Sequence, residues 1–300
     1  MPRLAGIFAS VCILFLAACS GGEPAPEDVI QSADGQPNPP FYEITNRLGR
    51  VEGWILGTIH ALPDGTSWRT APIDDAIRDA DRVLVEVADL GSGSNIAEIF
   101  NDLSTTHNMG PLVDRVDPGL AEQLMAMAEK SGVSEDTFNN TETWGAALLL
   151  ARVDAVGKPR NGVDRYVLSR FEDRPTYGFE LARTQLGIFD GLAEEDQRAL
   201  LEGTIEEWSA SRDNRGHLIR AWLDGDVAAL EAATITGIMV DPELRDALLV
   251  ARNNTWFPVI LTHLEDSGKP LIAVGAAHLL GPDGLTVMLE EEGYTVRRID

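Results

Sequence analysis

Two histidines close matching stretches of this chain. Val51-Glu52-Gly53-Trp54-Ile55-Leu56-Gly57-Thr58-Ile59-His60 is an apolar run ending in Gly-x-x-His, and Leu62-Pro63-Asp64-Gly65 follows it. Pro270-Leu271-Ile272-Ala273-Val274-Gly275-Ala276-Ala277-His278 repeats the pattern, before Leu280-Gly281-Pro282-Asp283-Gly284. Imidazole is a metal ligand and a proton carrier near neutral pH. Two carboxylates also close apolar runs, Glu86 in Val83-Leu84-Val85-Glu86-Val87 and Glu180 after Pro175-Thr176-Tyr177-Gly178-Phe179. A carboxylate in such a run must be paired, liganded or turned to water. Imidazole with carboxylate suits a first shell for zinc or manganese, and His60, Glu86, Glu180 and His278 are the candidate donors. One glutamate would then be a ligand and the other a base holding water for attack on an amide or ester; the sequence does not say which. Gly57 and Gly275 would let backbone approach the site closely.

The elements that would position these residues follow from periodicity. Val- and Ile-rich runs closed by Gly, Pro and Asp read as buried strands opening into loops, and open α/β sheets bind ligands at such strand ends. Strand Val51–Ile59, a helix over Pro72–Asp81 and strand Val83–Val87 form a β-α-β unit. Phe41–Ile44 is expected to pair with the first histidine strand as a hairpin. The middle is helical: Leu120–Lys130, Thr143–Val156 ended by Gly157, a helix from Asn161-Gly162-Val163-Asp164, then Gln197–Ser211, Leu218–Asp224 and Val227–Ala233. A long helix opens at Asp241-Pro242 and carries Arg252 and Trp256, with Pro258 expected to bend or stop it. Leu285–Glu291 and the strand Tyr294–Ile299 close the chain. The expected fold is α/β with α+β character: a central mixed sheet carrying both Gly-x-x-His strand ends, with a large helical insertion between them.

The N-terminus reads as a signal peptide over residues 1–18, with Arg3, an apolar core and small residues before Cys19. Leu16-Ala17-Ala18-Cys19 resembles the bacterial lipobox, which implies lipidation of Cys19; Ser20 resembles the pattern sent to the outer membrane. Residues 19–40, rich in Gly, Pro, Glu and Ser, read as a flexible tether to a domain over 41–300. The expected setting is thus the periplasmic face of the outer membrane. Both cysteines, Cys12 and Cys19, lie in the first twenty residues, so the domain over 41–300 is expected to hold no disulfide. Net charge is -24, from 24 basic and 48 acidic residues, which argues against a nucleic-acid partner. The substrate expected is a protein, a peptide or another envelope molecule.

Gly57-x-x-His60, Leu62-Pro63, Glu86, Gly162-x-Asp164, Glu180 to Gln185, Arg252-Asn253 and Gly275-x-x-His278 together resemble the TraB/GumN family. The resemblance runs from about Tyr42 to the end of the chain. It extends to the TIKI-type metalloproteases and, more distantly, to ChaN-like haem-binding lipoproteins and erythromycin esterases. It implies a divalent-metal-dependent hydrolase site with Arg252 as the family's arginine. That arginine could stabilise an oxyanion or bind a substrate carboxylate, or serve as an inter-element salt bridge. Asp164 could orient a histidine or cap a helix. Glu180 could instead pair with Arg183. A non-catalytic lipoprotein holding a metal or haem, and a scaffold for polysaccharide export, are the competing readings. His107, His217 and His263 fall outside both motifs and are expected to be structural or exposed. Gly91-Ser92-Gly93-Ser94 lacks the Lys-Ser/Thr partner of a phosphate loop.

Overall fold

The computed structural model describes residues 29–89, 96–212 and 214–300. The leader, Cys19 and Gly91–Ser94 lie outside them. Among the described residues no helix is long and apolar enough to cross a membrane. The part of the expected tether that is described lies against the domain. Ile30 is buried, the Asn38 amide donates to the Leu223 carbonyl at 2.6 Å, and the Ala33 amide donates to Asp224 at 2.7 Å.

Six strands form one mixed sheet among the described residues: β1 Phe41–Thr45, β2 Val51–Thr58, β3 Arg82–Val87, β4 Thr176–Glu180, β5 Pro270–Gly275 and β6 Thr295–Arg298. Their order is β4-β3-β5-β2-β1-β6. The hairpin β1–β2 is antiparallel, as is β1–β6, while β2, β5, β3 and β4 are mutually parallel. Parallel strands need covered faces, which is why β2, β3 and β5 read as unbroken apolar runs. Ile55, Leu56, Val83, Leu84, Ile272 and Val274 are fully buried in the sheet core. Helix Ala71–Asp79 makes the β2–β3 crossover, burying Ile73, Ala76 and Ile77, with Pro72 in its first turn.

The chain from Ile96 to Glu265, apart from β4, is a helical region with its own core around Phe100, Trp144, Leu201 and Leu244. Two helix ends differ from expectation. The helix from Thr143 stops at Leu150 rather than Val156. Asp154 just beyond it adopts φ 59°, and its carboxylate is held by Lys130, Arg215 and the Trp208 indole. Those three donors fix a left-handed residue that a continuing helix could not contain. Pro258, in contrast, does not stop its helix, which runs Ala251–Glu265. Pro258 and Asn254, whose carbonyl loses its partner, are both exposed, so water can satisfy that carbonyl. Trp256, Ile260 and Leu264 on the opposite face stay buried and hold the helix on the sheet. The predicted architecture is therefore the one found: a mixed sheet flanked by a large helical region.

Candidate functional site

The four parallel strands deliver the expected residues to one end. Register pairs Thr58 with Gly275 and Val87 with Glu180, so the carboxyl termini of β2, β5, β3 and β4 lie level. His60 follows β2, His278 follows β5 in a single 3₁₀ turn, Glu86 sits in β3 and Glu180 ends β4. A fifth group arrives from outside the sheet. Arg252 is on helix Ala251–Glu265, directly after a π-helical turn at Asp246–Val250. Such turns widen the backbone spiral and redirect the side chains after them.

Arg252 is the hub. Its Nε donates to Glu180 Oε1 at 2.9 Å, and one terminal nitrogen donates to Glu86 Oε2 at 2.7 Å and Glu180 Oε2 at 3.1 Å. The other donates to the Leu248 carbonyl at 3.1 Å and faces His278 Nε2 at 3.2 Å. A guanidinium has five N–H groups, and these five contacts use all of them. Arg252, Glu86 and Glu180 are buried or nearly so, with side-chain exposures of 5%, 8% and 9%. Buried carboxylates need such a partner. Burial would push the Glu86 carboxyl up, but Arg252, the two histidines and the Gly275 amide hold it well below the usual carboxylate range. Arg183, the alternative partner for Glu180, is paired with Asp102 instead.

The two histidines are set oppositely. Asn253 Nδ2 donates to the carbonyls of His278 and Asp283, at 3.1 and 2.8 Å, so its Oδ1 accepts from His278 Nδ1 at 2.7 Å. His278 Nε2 therefore presents a lone pair to Arg252. Burial lowers the His278 pKa to about 3, with the Arg252 charge adding to the effect and Glu86 opposing it. His60 Nδ1 faces Asp164 Oδ1 at 3.5 Å, from helix Val163–Ser169. Burial alone would lower its pKa; Asp164 and the charge of Glu86 outweigh that and hold it above 6.5. The His60 loop and the Asp164 helix are tied by backbone: Val163 N–H donates to the Ile59 carbonyl, and Lys158 N–H to the Leu62 carbonyl, both at 2.9 Å. Asp64 adds an exposed staple to Lys158, Arg160 and Asn161, which holds its carboxyl down at about 2.

Gly275 is small for a visible reason. Its N–H donates to Glu86 Oε1 at 2.7 Å, and a Cβ there would lie 3.0 Å from that same oxygen. Glu86 is also held by Arg252 and by Gln185 Nε2 at 3.2 Å, so it cannot easily give way. Gly275→Ala is expected to lower unfolding free energy by about 1–3 kcal/mol, the usual range for overpacking. A urea midpoint unchanged from wild type would contradict the fixed position of Glu86. Gly57 is similarly close-packed, a Cβ there falling 3.0 Å from Ala276 Cα, so it seats the His278 turn against β2.

His60, Glu86, Glu180, Arg252, His278 and Asp164 thus form one buried cluster with Gly57 and Gly275 beneath it. Three members were not expected as site residues: Asn253, which sets the His278 tautomer; Gln185, which braces Glu86; and Trp256, whose indole donates to Glu180 Oε1 at 3.0 Å. Arg252, Asn253 and Trp256 are spaced i, i+1, i+4 on one buried helix face, a periodicity that marks them together. His107, His217 and His263 lie in other surroundings, contacting Asn140, Asn214, and Arg82 with Tyr177 respectively.

As arranged, the four expected donors do not fit a divalent metal. Glu180 gives both oxygens to Arg252 and Trp256, Glu86 is engaged by Arg252, Gln185 and Gly275, and His278 Nε2 faces a cation. Among the described residues no group of three His, Cys, Asp or Glu side chains is placed to hold a metal ion. The cluster's polar atoms without a hydrogen-bond partner are His60 Nδ1, both Asp164 oxygens and Gln185 Oε1.

The buried cluster lies at the carboxyl ends of the parallel strands of a mixed α/β sheet, where such sheets bind ligands. The chain belongs to the TraB/PrgY/gumN family, whose pattern matches residues 40–298. No curated protein and no solved structure matches the sequence.

Proposed function

We propose that the protein is a hydrolase of the bacterial cell envelope, cleaving an amide or ester bond with His60 as general base and Asp164 orienting it. What supports this reading is the His60–Asp164 pair: Asp164 Oδ1, without another partner, stands 3.5 Å from Nδ1, which directs the proton there and leaves Nε2 as the base. Nε2 takes a proton from water as the water oxygen bonds the carbonyl carbon and the C=O π pair moves onto oxygen. The imidazolium then returns that proton to the leaving nitrogen or oxygen as its bond to carbon breaks. Glu86 lies near enough to favour the imidazolium. Arg252, with every N–H engaged, holds Glu86, Glu180 and His278 in place. The envelope setting and the lipid anchor at Cys19 belong to the proposal through the lipobox-like stretch Leu16–Cys19.

The test is cleavage of a peptide library and of chromogenic esters by the full chain and by His60→Gln. Products from the wild type, reduced about 10²–10⁴-fold in the variant, are expected. Equal activity in the two folded proteins would remove His60 as the base, and no activity in either would sink the proposal and leave the non-catalytic binding reading. Chelation is expected to leave the activity in place, because the carboxylates hold Arg252. Loss on chelation and recovery with Mn, Co or Zn would instead restore the metal-dependent version that the TIKI-type resemblance implies, and would require Arg252 to release its glutamates.

A further inference from the structure

Behind the His60 loop lies a cleft of about 400 Å³ that contains none of the buried cluster. Leu62 and Gly162 form part of its wall, and Trp68, Arg160, Arg165 and Tyr166 supply its aromatic and charged surface. The wall is close-packed onto the loop: a Cβ on Gly162 would fall 2.5 Å from the His60 carbonyl oxygen. Consecutive residues of one helix therefore serve two sites. Asp164 faces His60, and Arg165 lines the cleft.

The charges around this cleft are unusual for a chain with net charge -24. Arg160 is paired with Asp64, and Arg69 bonds the Tyr166 hydroxyl while Asp74 stands 3.8 Å away. Arg165 differs: it is half-buried, and no hydrogen bond or ion pair engages it among the described residues. A second recess that Tyr166 also lines holds Asp74 with Arg170 and Arg174, the latter engaged by the carbonyls of Ile77, Ala80 and Arg170. A partly desolvated guanidinium without an acceptor is unfavourable, and a carboxylate or phosphate would supply two acceptors in its own plane. Tyr166 and Trp68, packed edge to face with centroids 5.4 Å apart, put aromatic carbon into the lining beside that charge. The volume is within the range that encloses a small organic ligand.

We propose that this cleft is an anion-binding site, in which Arg165 clamps a carboxylate or phosphate while Tyr166 and Trp68 pack against the adjoining flat or apolar part of the ligand. It stands on its own observations and does not depend on catalysis by His60.

Binding of benzoate, phenyl phosphate and neutral benzyl alcohol to the full chain, followed by ligand-observed NMR, tests it. One or both anions are expected to bind, weakening with salt, and to lose about tenfold in Arg165→Gln. Arg165→Lys should fall between, keeping the charge without the fork. The control Arg212→Gln, whose guanidinium packs over Trp208, should match the wild type. The anion that binds more tightly identifies the natural group as carboxylate or phosphate. Equal binding in wild type and Arg165→Gln, equal binding of benzyl alcohol, or no anion binding would each overturn the site. His60→Gln should bind as the wild type does. Binding without hydrolysis would fail the proposed function alone, and hydrolysis without binding would fail this inference alone.

Discussion

Arg252→Met is expected to lower the unfolding free energy by about 3–5 kcal/mol at pH 7, the range for stripping one partner from a buried ion pair. Few domains have more than about 5–15 kcal/mol in total, so this variant approaches the limit of folding. The reason is geometric: without the guanidinium, Glu86 and Glu180 face one another across a buried space with no cation between them. Adding Glu86→Gln removes one of the two charges while keeping an acceptor for the Gly275 amide, so the double variant is expected to recover part of the loss. The pH dependence carries the sign. In the wild type Glu86 is held below its ordinary range, so its contribution is present above the unfolded carboxylate pKa and lost as pH falls through the folded value. In Arg252→Met burial acts on Glu86 without its strongest opponent and raises its pKa. The folded variant then binds more protons than the unfolded chain, and it gains stability as pH falls from 7 towards 5. Urea titrations at both pH values read this directly. A penalty below about 1 kcal/mol, or one that does not shrink on acidification, would show that Arg252 does not hold the strand ends together.

What the chain disclosed in advance depended on the kind of signal. Strand-end placement of His60, His278, Glu86 and Glu180 was legible because buried parallel strands are unbroken apolar runs, and an interrupting polar residue marks the end where the sheet opens. The Asp164 contact was legible only as one of two alternatives, since a carboxylate after Gly162 suits a cap as well as a histidine partner. The occupant of the carboxylates was not legible. Whether Glu86 and Glu180 face a metal or a guanidinium depends on where Arg252 points, and the π-helical turn at Asp246–Val250 has no period of its own in the sequence. The task of Asn253, though the residue stood in the Arg252-Asn253 motif, was hidden for a different reason. That task is to donate to two backbone carbonyls and so fix one ring tautomer, a function of three-dimensional closure that spacing does not encode. Helix ends failed where tertiary partners intervened, at Asp154, and where solvent relieved the expected defect, at Pro258.

Asp164→Asn is expected to be nearly as damaging to turnover as loss of His60 itself, about 10²–10⁴-fold in kcat/KM. An asparagine can offer its NH₂ group to His60 Nδ1, which would place the proton on Nε2 and remove the base. The same substitution should move the titration. Wild-type His60 is held above 6.5 against burial, chiefly by Asp164, so the acid limb of the rate profile is expected above that value. With Asp164 neutralised, burial remains and the limb shifts down. Substrate is not needed to see this: the imidazole proton signals of the five histidines can be followed by NMR, with His60 identified by its absence in His60→Gln. Stability carries the matching sign. A histidine whose pKa is raised on folding contributes fully below the unfolded value of 6.5, and that contribution is lost as pH rises through the folded value. The stability difference between wild type and Asp164→Asn should therefore be larger at pH 6 than at pH 9. His278 provides the internal contrast, since burial and Arg252 keep it neutral across this whole range. A His60 titration that is the same in Asp164→Asn as in the wild type would separate the two residues. The base would then be set by Glu86 across the cluster rather than by the neighbour that faces its ring.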